Sequence, residues 1–82
     1  MTITLIGKPG CHLCDEARAV VVAVAAEAGV AWQELSILDD PRMADEYWEQ
    51  IPVIKVDERV VGFWRITAEQ LRLALGQRDK AI

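Results

Sequence analysis

Two cysteines, Cys11 and Cys14, are separated by His12-Leu13 and follow directly on a strand-like run and a cluster of turn residues. Ile3 to Ile6 is a short β-rich stretch, and Gly7-Lys8-Pro9-Gly10 stops it, because glycine and proline punctuate regular structure. From there Leu13, Ala17, Val20, Val21, Val24 and Ala28 recur at the helical period, and Gly29 suits a helix end. The spacing predicts a helix beginning near Cys11. Val20-Val21-Val22 competes as a strand, since β-branched side chains lose rotamer freedom in helices, but length and period favour the helix. Strand, tight loop, cysteine pair and helix together read as the start of a βαβ unit whose helix the pair opens.

The rest of the chain continues this alternation. In Ala31 to Ile37, Trp32, Glu34 and Ser36 alternate with Gln33, Leu35 and Ile37, the pattern of a half-buried strand. Asp40-Pro41 opens a short helix, with Asp40 as cap and Pro41 in the first turn, and Met43, Ala44, Tyr47 and Trp48 are expected on one buried face. Gln50-Ile51-Pro52 ends it. Val53 to Val56 and Val60 to Phe63 flank Asp57-Glu58-Arg59 and read as an antiparallel hairpin, with Gly62 marking a bulge or a close approach. Thr67 to Gln70 fits a capping box for a last helix carrying Leu71, Ala74 and Leu75 on one face and Gly76 as its stop. The polar tail, residues 77–82, is expected to fray. The order is β-α-β-α-β-β-α, and a right-handed crossover makes the first two strands parallel neighbours in a four-stranded mixed sheet flanked by helices.

At 82 residues, 52% of them hydrophobic, the chain is sized for one α/β domain, taken as residues 1–76. A net charge of −4, with nine basic residues scattered singly, argues against nucleic-acid binding. The N-terminal residues lack the pattern of a secretory signal and no apolar run reaches membrane-spanning length, so the expected home is the cytoplasm, without a membrane partner. In that reducing compartment a close cysteine pair is more often catalytic, redox-sensing or metal-binding than a permanent bridge.

A spacing of three puts both sulfurs on one side of a first helical turn, where they can join as a disulfide, with Cys11 nearer solvent. Cys11 is the expected nucleophile and Cys14 the resolving thiol. A free cysteine is only a few per cent ionised at neutral pH, and the helix dipole supplies about 0.3–1 kcal/mol toward the thiolate. Lys8 and His12 are the nearby cations that could supply more. For His12 the alternative is a solvated residue paired with Glu16 at i+4.

Lys8-Pro9-Gly10-Cys11 to Cys14, Ile51-Pro52-Val53 and Gly62 together resemble the glutaredoxins, and more closely the small glutaredoxin-like proteins that carry Cys-His-Leu-Cys or near variants. The resemblance covers nearly the whole chain and implies a thioredoxin-like fold. It implies that Pro52 is cis and lies beside the cysteine pair, with the backbone of Ile51 exposed to an extended substrate. It matches Lys8 to a position that meets a glutathione carboxylate, and Arg65 offers another such contact. Where many glutaredoxins carry Pro-Tyr, Gly-Gly and an acidic residue, this chain reads His12-Leu13, Gly62-Phe63 and Trp64-Arg65. Trp64 is then either a substrate platform or an aromatic packed at the sheet edge.

The expected activity is thiol-disulfide exchange by a monomer: Cys11 attacks, Cys14 resolves, and Ile51, Pro52, Gly62, Phe63 and Trp64 frame the substrate. The expected partners are a disulfide-containing protein or glutathione, with glutathione or a thioredoxin-type reductase as reductant and no organic cofactor. Two other readings stay open. One is a metal or iron–sulfur cluster held through Cys11, with Cys14 and His12 as further competent ligands, and since a closed site normally needs four it would require a dimer or external thiols. The other is a non-catalytic module that grips a peptide through the Pro52 edge and the Phe63-Trp64 patch.

Overall fold

The structure, a computed structural model, describes residues 1–80, with side chains through Gly76. The chain forms β1 (Thr2–Gly7), α1 (His12–Ala28), β2 (Ala31–Ser36), a single 3-10 turn (Ile37–Asp39), α2 (Pro41–Tyr47), β3 (Val53–Val56), β4 (Arg59–Phe63) and α3 (Ala68–Lys80). One sheet has the order β2-β1-β3-β4. β1 and β2 are parallel, as the crossover through α1 requires, and β3 runs antiparallel to both β1 and β4. No helix among the described residues is long and apolar enough to cross a membrane.

Strand periodicity divides the core between the two faces of the sheet. Ile3 and Leu5 of β1 and Ile54 and Val56 of β3 point to one face, where they meet Ala17, Val21, Val24 and Ala25 of α1 and Leu71, Ala74 and Leu75 of α3. Ile6 and Val53 point to the other face and pack with Ile37, Leu35, Met43, Ala44 and Tyr47. α1 and α3 therefore share one layer, where Arg72 Nε donates to Glu27 at 2.6 Å, while α2 and the 3-10 turn cover the opposite side.

Local signals set the element ends. Gly29 caps α1 in the left-handed conformation at φ 69°. Asp40 accepts from the Arg42 N–H at 2.9 Å with Pro41 in the first turn of α2. Thr67 and Gln70 cap α3 reciprocally at 3.1 and 2.9 Å. Asp57, at φ 56°, turns the β3–β4 hairpin and fastens it to the start of β1 through Thr2, whose N–H donates to Asp57 Oδ1 at 3.0 Å.

Four expectations need correction. Trp48 is not on a buried face: it follows the last residue of α2 as its C-cap and is 62% exposed, because a seven-residue helix turns only Met43, Ala44 and Tyr47 inward. Ala28 is exposed too, and Ala25 and Cys14 complete the buried stripe of α1 instead. Arg59 belongs to β4, so the hairpin turn is only Asp57-Glu58. Gly76 does not stop α3, which continues to Lys80: glycine weakens a helix by about 1 kcal/mol but ends one only where it turns left-handed, as Gly29 does. The expected fraying of the tail falls on residues 81–82 and on side chains outside the described residues. The bulge near Gly62 is present, since Ile54 opposes Gly62 and Lys55 opposes Val60, leaving Val61 as the extra residue.

Two leucines of α3 test the core assignment with one substitution. Leu71 is fully buried and Leu73 is 51% exposed. Leu71→Ala should cost about 2–5 kcal/mol and Leu73→Ala less than about 1 kcal/mol in urea denaturation, because only the first opens a cavity.

Candidate active site

β1 delivers the chain to Gly7, and the loop Lys8-Pro9-Gly10, with Gly10 at φ 74°, turns it into α1. Cys11 is the N-cap of α1, in extended conformation at φ −91° and ψ 116°. Its Sγ accepts from the Cys14 backbone N–H at 3.2 Å, occupying the place that a serine or aspartate oxygen takes in other helices. A thiolate accepts such a bond more strongly than a thiol does. Cys11 is half-buried, whereas Cys14, one turn further on, is 1% exposed. Both are free thiols in this structure.

Gly7 is the residue that lets Cys14 reach this depth. A Cβ at Gly7 would lie 2.7 Å from Cys14 Sγ, closer than packed atoms tolerate, so the sulfur fills the space a side chain would need. Burial there pushes the Cys14 thiol up to about 11; the hydrogen bond with Cys11 and the negative charge of Cys11 push in the same direction. The Lys8 backbone N–H and the Arg18 guanidinium oppose the rise. At neutral pH roughly one Cys14 in ten thousand is ionised, against a few per cent for an ordinary thiol.

The charges around α1 are arranged differently from expectation. Arg18 grips Glu34 through two bonds of 2.8 and 2.6 Å and reaches Asp15 at 2.8 Å. That fork holds the Glu34 carboxyl below its usual range and sets a cation against the Asp15 carboxylate. His12 is exposed and is not paired with Glu16. The Lys8 side chain is exposed as well, and what the fold directs at a cysteine from this residue is its main-chain N–H, toward Cys14.

The Ile51-Pro52 bond is cis. Ile6 pairs with Val53, so one further step of the register brings buried Pro52 to Gly7, the residue against which Cys14 packs. Ile51 precedes β3, half-buried, and among the described residues its backbone N–H and C=O make no hydrogen bond. The Pro52 carbonyl, in contrast, accepts from the Trp64 N–H at 2.9 Å.

Gly62 lies against Ile66, where a Cβ would come within 3.2 Å of its side chain. Trp64 follows at φ 66°, a conformation that bulky residues rarely adopt, inside a three-residue turn closed by the Arg65 N–H on the Phe63 carbonyl at 2.8 Å. Three contacts hold it there: the Pro52 carbonyl, the Glu49 carbonyl, which accepts from the indole Nε1 at 2.7 Å, and the Phe63 ring, edge-on at 5.2 Å. The indole is pinned at its polar edge and remains 53% exposed. It is therefore a fixed, half-exposed aromatic at the edge of the sheet.

Cys11, Cys14, Pro52 and Trp64 thus stand on adjoining pieces of one end of the sheet, joined through Gly7 and the Pro52 carbonyl, with Ile51, Gly62 and Phe63 beside them. Among the described residues no group of three His, Cys, Asp or Glu side chains is placed to hold a metal ion. Sequence reading missed Gly7, Arg18 and the Glu49 carbonyl; only Gly7 carried a signal, as a glycine ending an apolar strand.

Residues 2–76 match the model of the glutaredoxin-like domain (DUF836). The chain belongs to the glutaredoxin-like domain family. The X-ray structure of the structural-genomics target protein XcR50 from X. campestris is similar over 92% of this chain and 96% of its own, with 29% identity and a TM-score of 0.77. Protein Ne2328 from Nitrosomonas europaea has the same fold at 19% identity and a TM-score of 0.75, covering 89% of this chain and 88% of its own. Reduced Escherichia coli glutaredoxin is similar over the full length of both chains, at 18% identity and a TM-score of 0.64, which likewise speaks to fold alone. No curated protein matches the sequence. The fold of this family member is thioredoxin-like, with both cysteines of its Cys-Xaa-Xaa-Cys motif in place.

Two substitutions probe the site. Gly7→Ala should cost about 1–3 kcal/mol and make Cys14 open to alkylation, since the new methyl group and the sulfur cannot share one space. Cys11→Ala removes two of the three influences that raise Cys14 while leaving its burial. The pH at which Cys14 reacts with iodoacetamide should fall below the wild-type value near 11 and stay above that of an exposed thiol.

Proposed function

We propose that this glutaredoxin-like protein is a thiol-disulfide oxidoreductase that works with a Cys11/Cys14 dithiol. The observation that carries the reading is the unequal setting of the two sulfurs: Cys11 half-exposed at the helix N-terminus and fed by the Cys14 N–H, Cys14 buried one turn behind.

The Cys11 thiolate attacks one sulfur of a substrate disulfide. A Cys11–substrate bond forms, the substrate S–S bond breaks, and the other substrate sulfur leaves as a thiolate. Capture of Cys11 in that mixed disulfide removes its negative charge, one of the causes that keep Cys14 protonated. Cys14 then loses its proton and attacks Cys11 Sγ, the Cys11–Cys14 bond forms, and the second substrate thiolate leaves. Two electrons pass from the dithiol to the substrate, and the two protons finish on its thiols. Glutathione or a thioredoxin-type reductase restores the dithiol.

Lys8 and His12, the basic residues nearest Cys11 in sequence, are the side chains proposed to tune it. Ile51 offers its unpaired main-chain groups to an extended substrate segment, with Pro52, Gly62, Phe63 and Trp64 as the walls. The substrate is a disulfide-bearing protein or a glutathione mixed disulfide, and the setting is a monomer in the reducing cytoplasm. No organic cofactor takes part.

Equilibration across glutathione redox buffers, acid quench, alkylation and intact-mass measurement test the proposal. Wild type should lose two protons reversibly as the dithiol closes, Cys14→Ser should accumulate a mixed disulfide on Cys11, and Cys11→Ser should exchange with nothing. Exchange that persists in Cys11→Ser, or a dithiol that stays reduced at every cytosolic poise, would defeat this mechanism.

A further inference from the structure

Arg18 lies four residues after Cys14 on α1, so the two are neighbours one helical turn apart. Its guanidinium is held from two sides. Nε and Nη2 donate to the Glu34 carboxylate of β2 at 2.8 and 2.6 Å, and Nη1 donates to Asp15 at 2.8 Å. Asp15 directly follows Cys14, so the bond to it draws the guanidinium back along α1 toward the level of the sulfur. Gly7 gives a second bearing. Cys14 Sγ packs against it, and the same Gly7 lines a cavity of about 400 Å³ together with Lys8, Pro9, Arg18 and Glu34. The buried sulfur and Arg18 therefore both border on Gly7.

Few charges act on Cys14. Ile6 and Gly7 of β1 and Pro52 bring none, and the β1–α1 loop brings the Lys8 main-chain N–H while the Lys8 side chain is exposed. On α1 itself the groups are Cys11 and Arg18, with His12 exposed. The carboxylates of Asp15 and of Glu34 on β2 are both bound to the guanidinium. Once Cys11 is held in a mixed disulfide its negative charge is gone, and Arg18 is the side-chain charge left acting on Cys14. Its attraction for the sulfur grows as the sulfur gives up its proton, in a setting 1% exposed where water screens little.

We infer that Arg18 is a positioning residue for the resolving step, a cation fixed beside Cys14 by Glu34 and Asp15 that stabilises the Cys14 thiolate as it attacks Cys11. This deepens the thiol-disulfide reading and rests on it. In that step Cys14 gives its proton to solvent, the Cys14–Cys11 bond forms, the Cys11–substrate bond breaks, and the substrate thiolate leaves and takes up a proton. The mixed disulfide is itself the oxidant, so electrons and protons balance without a further reagent. Because the charge acts on Cys14, it decides how a captured partner is released: quickly by Cys14, or slowly by an external thiol. The Arg18–Glu34 fork then does more than tie α1 to β2.

The test follows the reduced full chain as it reacts with 4,4′-dithiodipyridine, an uncharged disulfide that releases one thiopyridone when Cys11 attacks and a second when Cys14 resolves. Stopped-flow absorbance gives the rate of the second release against pH, relative to the first, with circular dichroism confirming that each variant folds. Arg18→Gln removes the charge, and its second release should be about fivefold slower below the midpoint, the whole profile moving to alkaline pH by somewhat under one unit. Arg18→Lys restores a cation and should recover most of that loss. Glu34→Gln loosens the same tie between α1 and β2 but leaves Arg18 charged, so its profile should stay in place or move toward acid; this holds the proposal to account even if Arg18→Gln does not fold. A profile for Arg18→Gln that overlays wild type, an Arg18→Lys variant as slow as Arg18→Gln, or an alkaline move in Glu34→Gln would overturn the role of the charge and leave the exchange activity standing. A wild type that never gives the second release, or a first release undiminished in Cys11→Ser, would remove both readings.

Discussion

The contact between Cys14 Sγ and the bare backbone of Gly7 fixes more of this molecule than its size suggests. It docks the first turn of α1 against the end of β1, and β1 is the strand that both β2 and β3 pair with. Because Cys14 is held there, Cys11 three residues earlier has its place determined as well, by the same turn and by the Cys14 N–H. An alanine at position 7 or a larger residue at position 14 would therefore disturb the helix start, the sulfur pair and the strand end together.

The second anchor is Trp64. A bulky residue at positive φ is unfavourable by roughly 1–3 kcal/mol and persists only where its surroundings hold it. Here the Pro52 carbonyl, the Glu49 carbonyl and the Phe63 ring do so. These contacts tie the end of β4 to the segment before β3. The strain lies at the surface and not in the core, since Trp64 is 53% exposed.

What could be read from the sequence was what depends on neighbours along the chain. The Asp40-Pro41 start, the Thr67 to Gln70 box, the Gly29 stop and the helical period after Cys11 are all local, and each appears in the structure. Gly76 shows the limit of the same logic, because only the conformation, and not the residue type, tells a helix stop from a tolerated helix glycine. Trp48 failed for a related reason: the period was right, but α2 was one residue too short to carry it inward. The cis bond at Pro52 came from family resemblance alone, and the contacts of Arg18, Trp64 and Glu49 span sixteen and fifteen residues, beyond the reach of any periodic pattern.

The two sulfurs answer opposite demands although one helical turn separates them. The proposed exchange would need a nucleophile that meets solvent and is stabilised as an anion, and a resolving thiol that does not ionise early and compete for the same substrate. Burial behind Gly7 meets the second demand by keeping Cys14 protonated to about pH 11. Cys11 shares responsibility, since its own charge helps hold Cys14 neutral, and that contribution ends when Cys11 enters a disulfide. In the exchange proposed above, Cys14 is thus easiest to ionise once Cys11 is held in a mixed disulfide, an order of events that follows from electrostatics between two neighbouring groups and needs no moving part.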